Sequence, residues 1–228
     1  MEISLSRQKV LREFQKNLRV NFLNLELFSQ ALTHSSKEPV FHNERLEFLG
    51  DAVLEIVVAE YLFRKYPHLK EGTLSKLRAM IVSEENLSRC AREAKIEKYL
   101  LVGKNQERIK SQDSLLADTY EALIGAIYLD RGLKEAHRFI VDFLIKEEEI
   151  QEMKDFKSDL QEYTQSLYKS LPKYEVVEKI GPDHRKKFRV KVKIGQKVLG
   201  EGWGSSKKRA EKKAAQSAWK EIENGFNK

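Results

Sequence analysis

The sequence predicts an all-α domain followed by a small α+β domain of order α-β-β-β-α, and three observations carry that prediction. Through residues 1–150, apolar positions recur at spacings of three and four, and strand-like alternation is absent. Further on the period changes: Phe188-Arg-Val190-Lys-Val192-Lys-Ile194 alternates without exception, as a strand with one buried face does. The charge changes as well. Residues 1–153 hold 23 Lys+Arg against 25 Asp+Glu, net −2, whereas residues 154–228 hold 19 against 10, net +9. The expected division is a helical domain over 1–150 and a basic domain over 155–225.

A chain of 228 residues, 41% hydrophobic and 34% charged, is long enough and apolar enough for one good core and a smaller second one. The longest apolar region, Ala52 to Phe63, is short and carries Glu55 and Glu60, so it cannot span a bilayer. Met1 to Phe14 mixes charges throughout and lacks the apolar core of a signal peptide, which makes cytoplasmic residence the default expectation. The single Cys90 excludes an internal disulfide and reads as a small buried hydrophobe.

Taken in order, Asn24 caps a short helix through Leu25, Leu27, Phe28, Ala31 and Leu32, which Thr33-His34-Ser35-Ser36 ends. A lone histidine after an apolar helix reads as a hydrogen-bonded structural residue rather than a catalytic base. Asn43 caps the next helix, which Pro67 stops. Its acids Glu44, Glu47, Asp51 and Glu55 fall three, four and four apart and share one narrow face of a helix with 3.6 residues per turn. Like charges so placed repel, so a cation should stand opposite: a divalent metal, or Lys and Arg from another helix.

A helix starts near Glu71, with Leu74, Leu77 and Ile81 inward and Lys76 and Arg78 outward, and another covers Glu84 to Lys95. Gly103 to Gln112 is polar and reads as a loop, with Asp113 as the next cap. The helix from Ser114 to Leu129 is apolar nearly all round, which marks it as central to the core. Only Asp118 and Glu121 interrupt its first half, on one face, and buried carboxylates are tolerated when paired, protonated or bound to metal. Gly125 and Ala122 allow another helix to approach closely, and Gly132 stops the element. Glu147-Glu148-Glu149 reads as a solvated face leading to a linker around Gln151 to Asp155.

In the basic part, Leu160 to Leu171 forms a helix ended by Pro172, and strands follow over Tyr174–Ile180, Phe188–Ile194 and Val198–Gly204. Ser206 caps a last helix with Ala210, Ala214 and Ala218 as its inner stripe. Lys207, Lys208 and Arg209 occupy its first turn, where the macrodipole disfavours cations. A bound phosphate resolves that conflict, because backbone N–H groups, dipole and lysines then face one anion; solvated lysines are the plainer alternative.

Asn43-Glu-Arg-Leu-Glu-Phe-Leu-Gly-Asp51 resembles the signature of the bacterial ribonuclease III endonucleases, which cleave double-stranded RNA. Ala31-Leu-Thr-His-Ser35 and Leu116-Ala-Asp-Thr-Tyr-Glu-Ala-Leu123 resemble flanking motifs of the family in the right order. The last third, with Gly181-Pro-Asp-His184 and Gly202-Trp-Gly-Ser-Ser-Lys-Lys208, is similar to the double-stranded RNA-binding domain.

The resemblance implies metal ligation by Glu47, Asp51, Asp118 and Glu121, with Asp51 and Glu121 as the indispensable pair and Glu44 and Glu71 as further acids of the catalytic groove. Phe48 corresponds to an aromatic residue of the family's dimer interface. RNA contacts are implied for Gln161, Glu162 and Gln165 of the first helix of the basic domain, for Pro182 and His184, and for Ser206, Lys207 and Lys208. It further implies a homodimer acting on precursor rRNA and mRNA, leaving 5′-phosphates and short 3′ overhangs. Four carboxylates with no His or Cys among them suit Mg²⁺, with Mn²⁺ as substitute, rather than zinc.

Two other readings stay open at this stage. A catalytically silent RNA-binding protein could retain the nuclease fold as a dimerising scaffold, although such a protein would be expected to lose acids from the groove. A helical phosphohydrolase of small nucleotides leaves the basic domain without a purpose.

Overall fold

In the computed structural model the chain divides into two units, Met1–Glu152 and Met153–Lys228. Residues 3–67, 69–147, 150, 155–182 and 185–226 are described. His184, Glu148, Glu149 and most of the expected linker lie outside them.

The first unit is helical: α1 (Leu5–Asn17), α2 (Leu25–Ala31), α3 (Glu44–Lys65), α4 (Glu71–Ile81), α5 (Glu84–Glu93), α6 (Asp113–Arg131) and α7 (Leu133–Phe143). As expected, Asn24 caps α2, its Oδ1 accepting the N–H groups of Glu26 and Leu27. The carboxylate of Asp130 accepts the next two orphan donors, Leu23 N–H and Asn24 N–H, both at 2.8 Å. Helix α6 is the centre of the core. All six residues from Ala122 to Ile127 are buried, so no face of that stretch meets water.

Helices α3 and α6 touch backbone to backbone. A Cβ added to Gly50 would stand 1.8 Å from the carbonyl oxygen of Glu121, and one added to Gly125 would stand 2.2 Å from that of Leu46. Only glycine fits at either position. The crossing is reciprocal, each helix presenting its glycine to a carbonyl of the other.

Several details differ from the sequence expectation. Asn43 precedes α3, but its side chain makes no capping bond; it is buried, and its Nδ2 lacks a partner. Its backbone does the positioning instead: the N–H donates to Thr33 O at 2.9 Å, and the carbonyl accepts from Leu46 and Glu47. Asp113 lies inside the first turn of α6 and is engaged by Arg92 rather than capping. Arg78 lies outward as expected, and there it pairs with Glu55 at 3.0 Å. Helix α5 ends at Glu93, ahead of left-handed Lys95, and the 103–112 loop contains a 3-10 turn at Glu107–Ser111. Glu147 is not part of a solvated face: the hydroxyls of Tyr61 and Tyr66 donate to its carboxylate, with Lys65 Nζ at 3.4 Å. The expectation failed because those three partners lie some eighty residues away in sequence.

The second unit consists of α8 (Phe156–Tyr168), strands β1 (Lys173–Ile180), β2 (Lys187–Ile194) and β3 (Lys197–Gly204), and α9 (Lys207–Phe226). The sheet is antiparallel with order β1-β2-β3. Helix α8 starts and stops earlier than expected, because Asp155 accepts the Ser158 N–H at its start and Lys169 turns left-handed (φ 51°) at its end. Val190 and Val192 are fully buried, as the alternation requires, and so are Ala210, Ala214 and Ala218 of α9. Here too glycine sets the distance: Cβ atoms at Gly200, Gly202 and Gly204 would lie 2.4, 2.3 and 2.4 Å from the backbone nitrogens of Ala218, Ala214 and Ala210.

Gly50→Ala should destabilise the first unit by about 1–3 kcal/mol, the usual cost of forcing atoms into a filled core. The check is denaturant unfolding of wild type and variant. Equal midpoints would mean that the α3–α6 contact yields without strain.

Candidate active site and nucleic-acid interface

The glycine crossing puts the acids of two helices side by side. Gly50 lies between Glu47 and Asp51 on α3, and the carbonyl it approaches belongs to Glu121 on α6, one turn after Asp118. Their electrostatics show the proximity. Burial, followed by the charges of Asp51, Glu47, Asp118 and Glu55, pushes the Glu121 carboxyl up to about 8. Glu47 is raised by burial and then by Asp118, Glu44 and Asp51. Asp118 is raised by burial and then by Glu84, with His34 pulling the other way.

The structure therefore brings together Glu47, Asp51, Asp118 and Glu121, with Glu44 at the margin and exposed. Among the described residues no three His, Cys, Asp or Glu side chains close around a point where an ion would sit. Through-space repulsion reaches further than a coordination bond, so both observations hold at once: the helices bring the carboxylates near one another, and the side chains spread. The donor set still fits a hard divalent cation, being all oxygen, and Glu121 shows how poorly the cluster tolerates its own charge.

Glu71 is not brought to the cluster. It accepts a hydrogen bond from Ser75 Oγ at 2.8 Å and lines a separate, mainly apolar cavity with Leu62, Phe63 and Leu74. Glu55 is held by Arg78, which matches the plainer reading of that position. Glu84, in the first turn of α5, acts on Asp118, and sequence reasoning does not single it out. It follows Ser83 as an ordinary first-turn acid, so nothing local distinguishes it.

Phe48 is 80% exposed, and Ile56 and Phe63 on the same helix are 60% and 71% exposed. In the second unit Gln161, Glu162 and Gln165 of α8, Pro182, and Ser206, Lys207 and Lys208 are all exposed. Ser206 Oγ accepts the Arg209 N–H at 3.2 Å, the expected cap. By contrast, three cations of the sheet are matched: Arg189 and Lys191 pair with Glu201 at 2.6 and 3.0 Å, and Lys193 with Glu175 at 2.6 Å.

An acid cluster on two crossed helices, followed by a basic α-β-β-β-α unit, defines a class of two-domain protein equipped to hold cations at one place and a polyanion at another. Comparison with known proteins narrows the class. Residues 24–148 match the family model described as ribonuclease-III-like, and residues 156–222 match the double-stranded RNA binding motif. The chain is 42% identical to ribonuclease 3 of Borreliella burgdorferi, over 96% of this chain and 94% of that one. It is 44% identical to ribonuclease 3 of Caldanaerobacter subterraneus, over 93% and 98%. Among solved structures, the ribonuclease III nuclease domain of Campylobacter jejuni superposes with a TM-score of 0.57 at 39% identity, covering 59% of this chain and 95% of that one. The chain belongs to the ribonuclease III family.

The Glu121 shift has a thermal consequence. A carboxyl raised from its ordinary 4.5 to about 8 supports the fold fully below 4.5, and that support is lost as pH rises toward 8, since ionisation is easier in the unfolded chain. In EDTA, Glu121→Gln should melt above wild type at pH 8, with the gap shrinking toward pH 4.5. A gap independent of pH would mean that Glu121 is not held in its protonated form.

Proposed function

We propose that this chain is an endoribonuclease that hydrolyses phosphodiester bonds of double-stranded RNA with the help of a divalent cation, Mg²⁺ or in its place Mn²⁺. The observation that carries the reading is the convergence of Glu47 and Asp51 with Asp118 and Glu121 across the glycine crossing, in a chain whose second unit matches an RNA-binding motif. The four carboxylates would hold the ion, with Glu44 beside them. The ion, when bound, supplies activation of water and relief of the charge that builds on the phosphoryl oxygens. The residues themselves place it. Asp118 and Glu121 project from the most buried helix of the unit, and Glu47 and Asp51 from the helix locked to it. A silent scaffold has no use for such an arrangement, because uncompensated acids cost stability.

The second unit would read A-form RNA by shape, with Gln161, Glu162 and Gln165 of α8 and Pro182 toward minor grooves and Lys207 and Lys208 on phosphates. His184 belongs to the same set on sequence grounds alone. The exposed Phe48, Ile56 and Phe63 on α3 support a homodimer, since a large apolar stripe on a charged helix calls for a covering partner. The nuclease domain of the Campylobacter jejuni ribonuclease III likewise has a region involved in dimer formation. Two copies, each cutting one strand, would give 5′-phosphate ends with short 3′ overhangs on structured rRNA and mRNA precursors. No helix among the described residues is long and apolar enough to cross a membrane.

The deciding assay follows cleavage of a plain RNA duplex. Wild type with Mg²⁺ should cut it, EDTA should stop the reaction, and Glu121→Gln should bind the duplex without cutting. A fully active Glu121→Gln would remove that residue from the ion site. Binding should fall steeply with salt. Replacing Lys207 and Lys208 by Ala should flatten the log K against log salt slope by about one for each phosphate no longer neutralised; an unchanged slope would take both lysines off the phosphates.

A further inference from the structure

His34 sits in the turn between α2 and α3, and its surroundings fix both its place and its proton. The backbone is tied on two sides: His34 N–H donates to Leu101 O at 2.9 Å, and the preceding Thr33 O accepts from Asn43 at the head of α3, also at 2.9 Å. The ring is tied by Ser36. Ser36 N–H donates to His34 Nδ1 at 3.2 Å, and Ser36 Oγ lies 2.8 Å from the same nitrogen. That hydroxyl already accepts Gly103 N–H at 2.9 Å, so its own hydrogen is free to point at Nδ1. Gly103 is needed there, because a Cβ would lie 2.6 Å from Ser36 O.

An imidazole nitrogen that accepts from a backbone N–H cannot carry a proton in the neutral ring, so the proton resides on Nε2. Among the described residues Nε2 has no hydrogen-bond partner. The half-buried ring lies in the turn that Thr33 O ties to the head of α3, the helix of Glu44 and Glu47, and within electrostatic reach of Asp118. A donor of fixed tautomer, held by a three-membered relay and left open beside the acid cluster, is arranged for something that is not part of the chain.

We propose that His34 is a substrate-contacting residue of the cleavage site, its Nε2–H donating to a non-bridging phosphate oxygen of the RNA strand held beside Asp118. The relay Gly103 N–H to Ser36 Oγ–H to His34 Nδ1 keeps that donor in one tautomer and one orientation. This assignment rests on the reading of the chain as a double-stranded RNA endonuclease.

The test is single-turnover cleavage of an RNA duplex by the full chain with Mg²⁺, using duplexes that carry one neutral methylphosphonate at successive phosphates near the cut. His34→Ala should slow cleavage on the order of ten- to a hundredfold, as expected for removal of a hydrogen bond to a charged group. His34→Gln, which restores an N–H donor, should recover part of that rate. At one phosphate the methylphosphonate should slow wild type by the same factor and His34→Ala not at all. If every methylphosphonate slows both proteins equally, or if His34→Ala cuts as wild type does, the contact is disproved while the nuclease reading stands. A wild type that leaves the unmodified duplex intact overturns the nuclease reading and this contact with it.

Discussion

The contact on which the rest depends is the reciprocal crossing of Gly50 and Gly125, where two helices meet without side chains between them. Ordinary helix pairs keep their axes about 8–10 Å apart. Replacing that layer of side chains with bare backbone draws the flanking residues on both helices inward, and here the flanking residues are acids. The distance between carboxylates on different helices is thus set by two missing Cβ atoms rather than by any attraction among the groups themselves. The most deeply buried helix of the domain serves as the fixed reference, and the more exposed α3 is registered against it.

Acids elsewhere in the chain show what such groups do when their role is only structural. Glu55 takes Arg78, Glu147 takes two tyrosine hydroxyls and a lysine, and Glu135 takes Arg138. Each has cationic or hydroxyl partners within the chain. Glu47 and Glu121 are instead raised by burial and then by neighbouring acids, and Asp118 by burial and then by Glu84. The fold tolerates this repulsion because the surrounding core overdetermines the helix positions, and the strain is confined to side chains free to turn.

Much of this is legible in the residues. The change from helical to strand period marks the architecture, and the small residues at Ala122 and Gly125 announce a close helix neighbour. The acid spacing puts Glu47 and Asp51 on one face, but only the crossing shows which of the α3 acids meet Asp118 and Glu121 and which, like Glu55, are held elsewhere. Interactions with long sequence separation stay hidden. Glu147 lies in what reads as a solvated run, and its tyrosine partners belong to α3 and its C-terminal end. Asn43 has the composition of a cap, yet tertiary burial gives its backbone the positioning role. His34 reads as structural because a sequence does not show which ring nitrogen is occupied, and that single detail separates an inert histidine from a directed donor.

The matched charges on the sheet have a consequence for how the second domain meets a polyanion. Arg189, Lys191 and Lys193 pair with Glu175, Glu178 and Glu201, so part of the positive charge of residues 154–228 is matched within the sheet. Lys207 and Lys208 at the head of α9 add to the positive end of its macrodipole. A basic body with a helix dipole of the same sign at one end is turned by a distant strand of phosphates before it arrives. Orientation is then selected during diffusion, before any surface is buried.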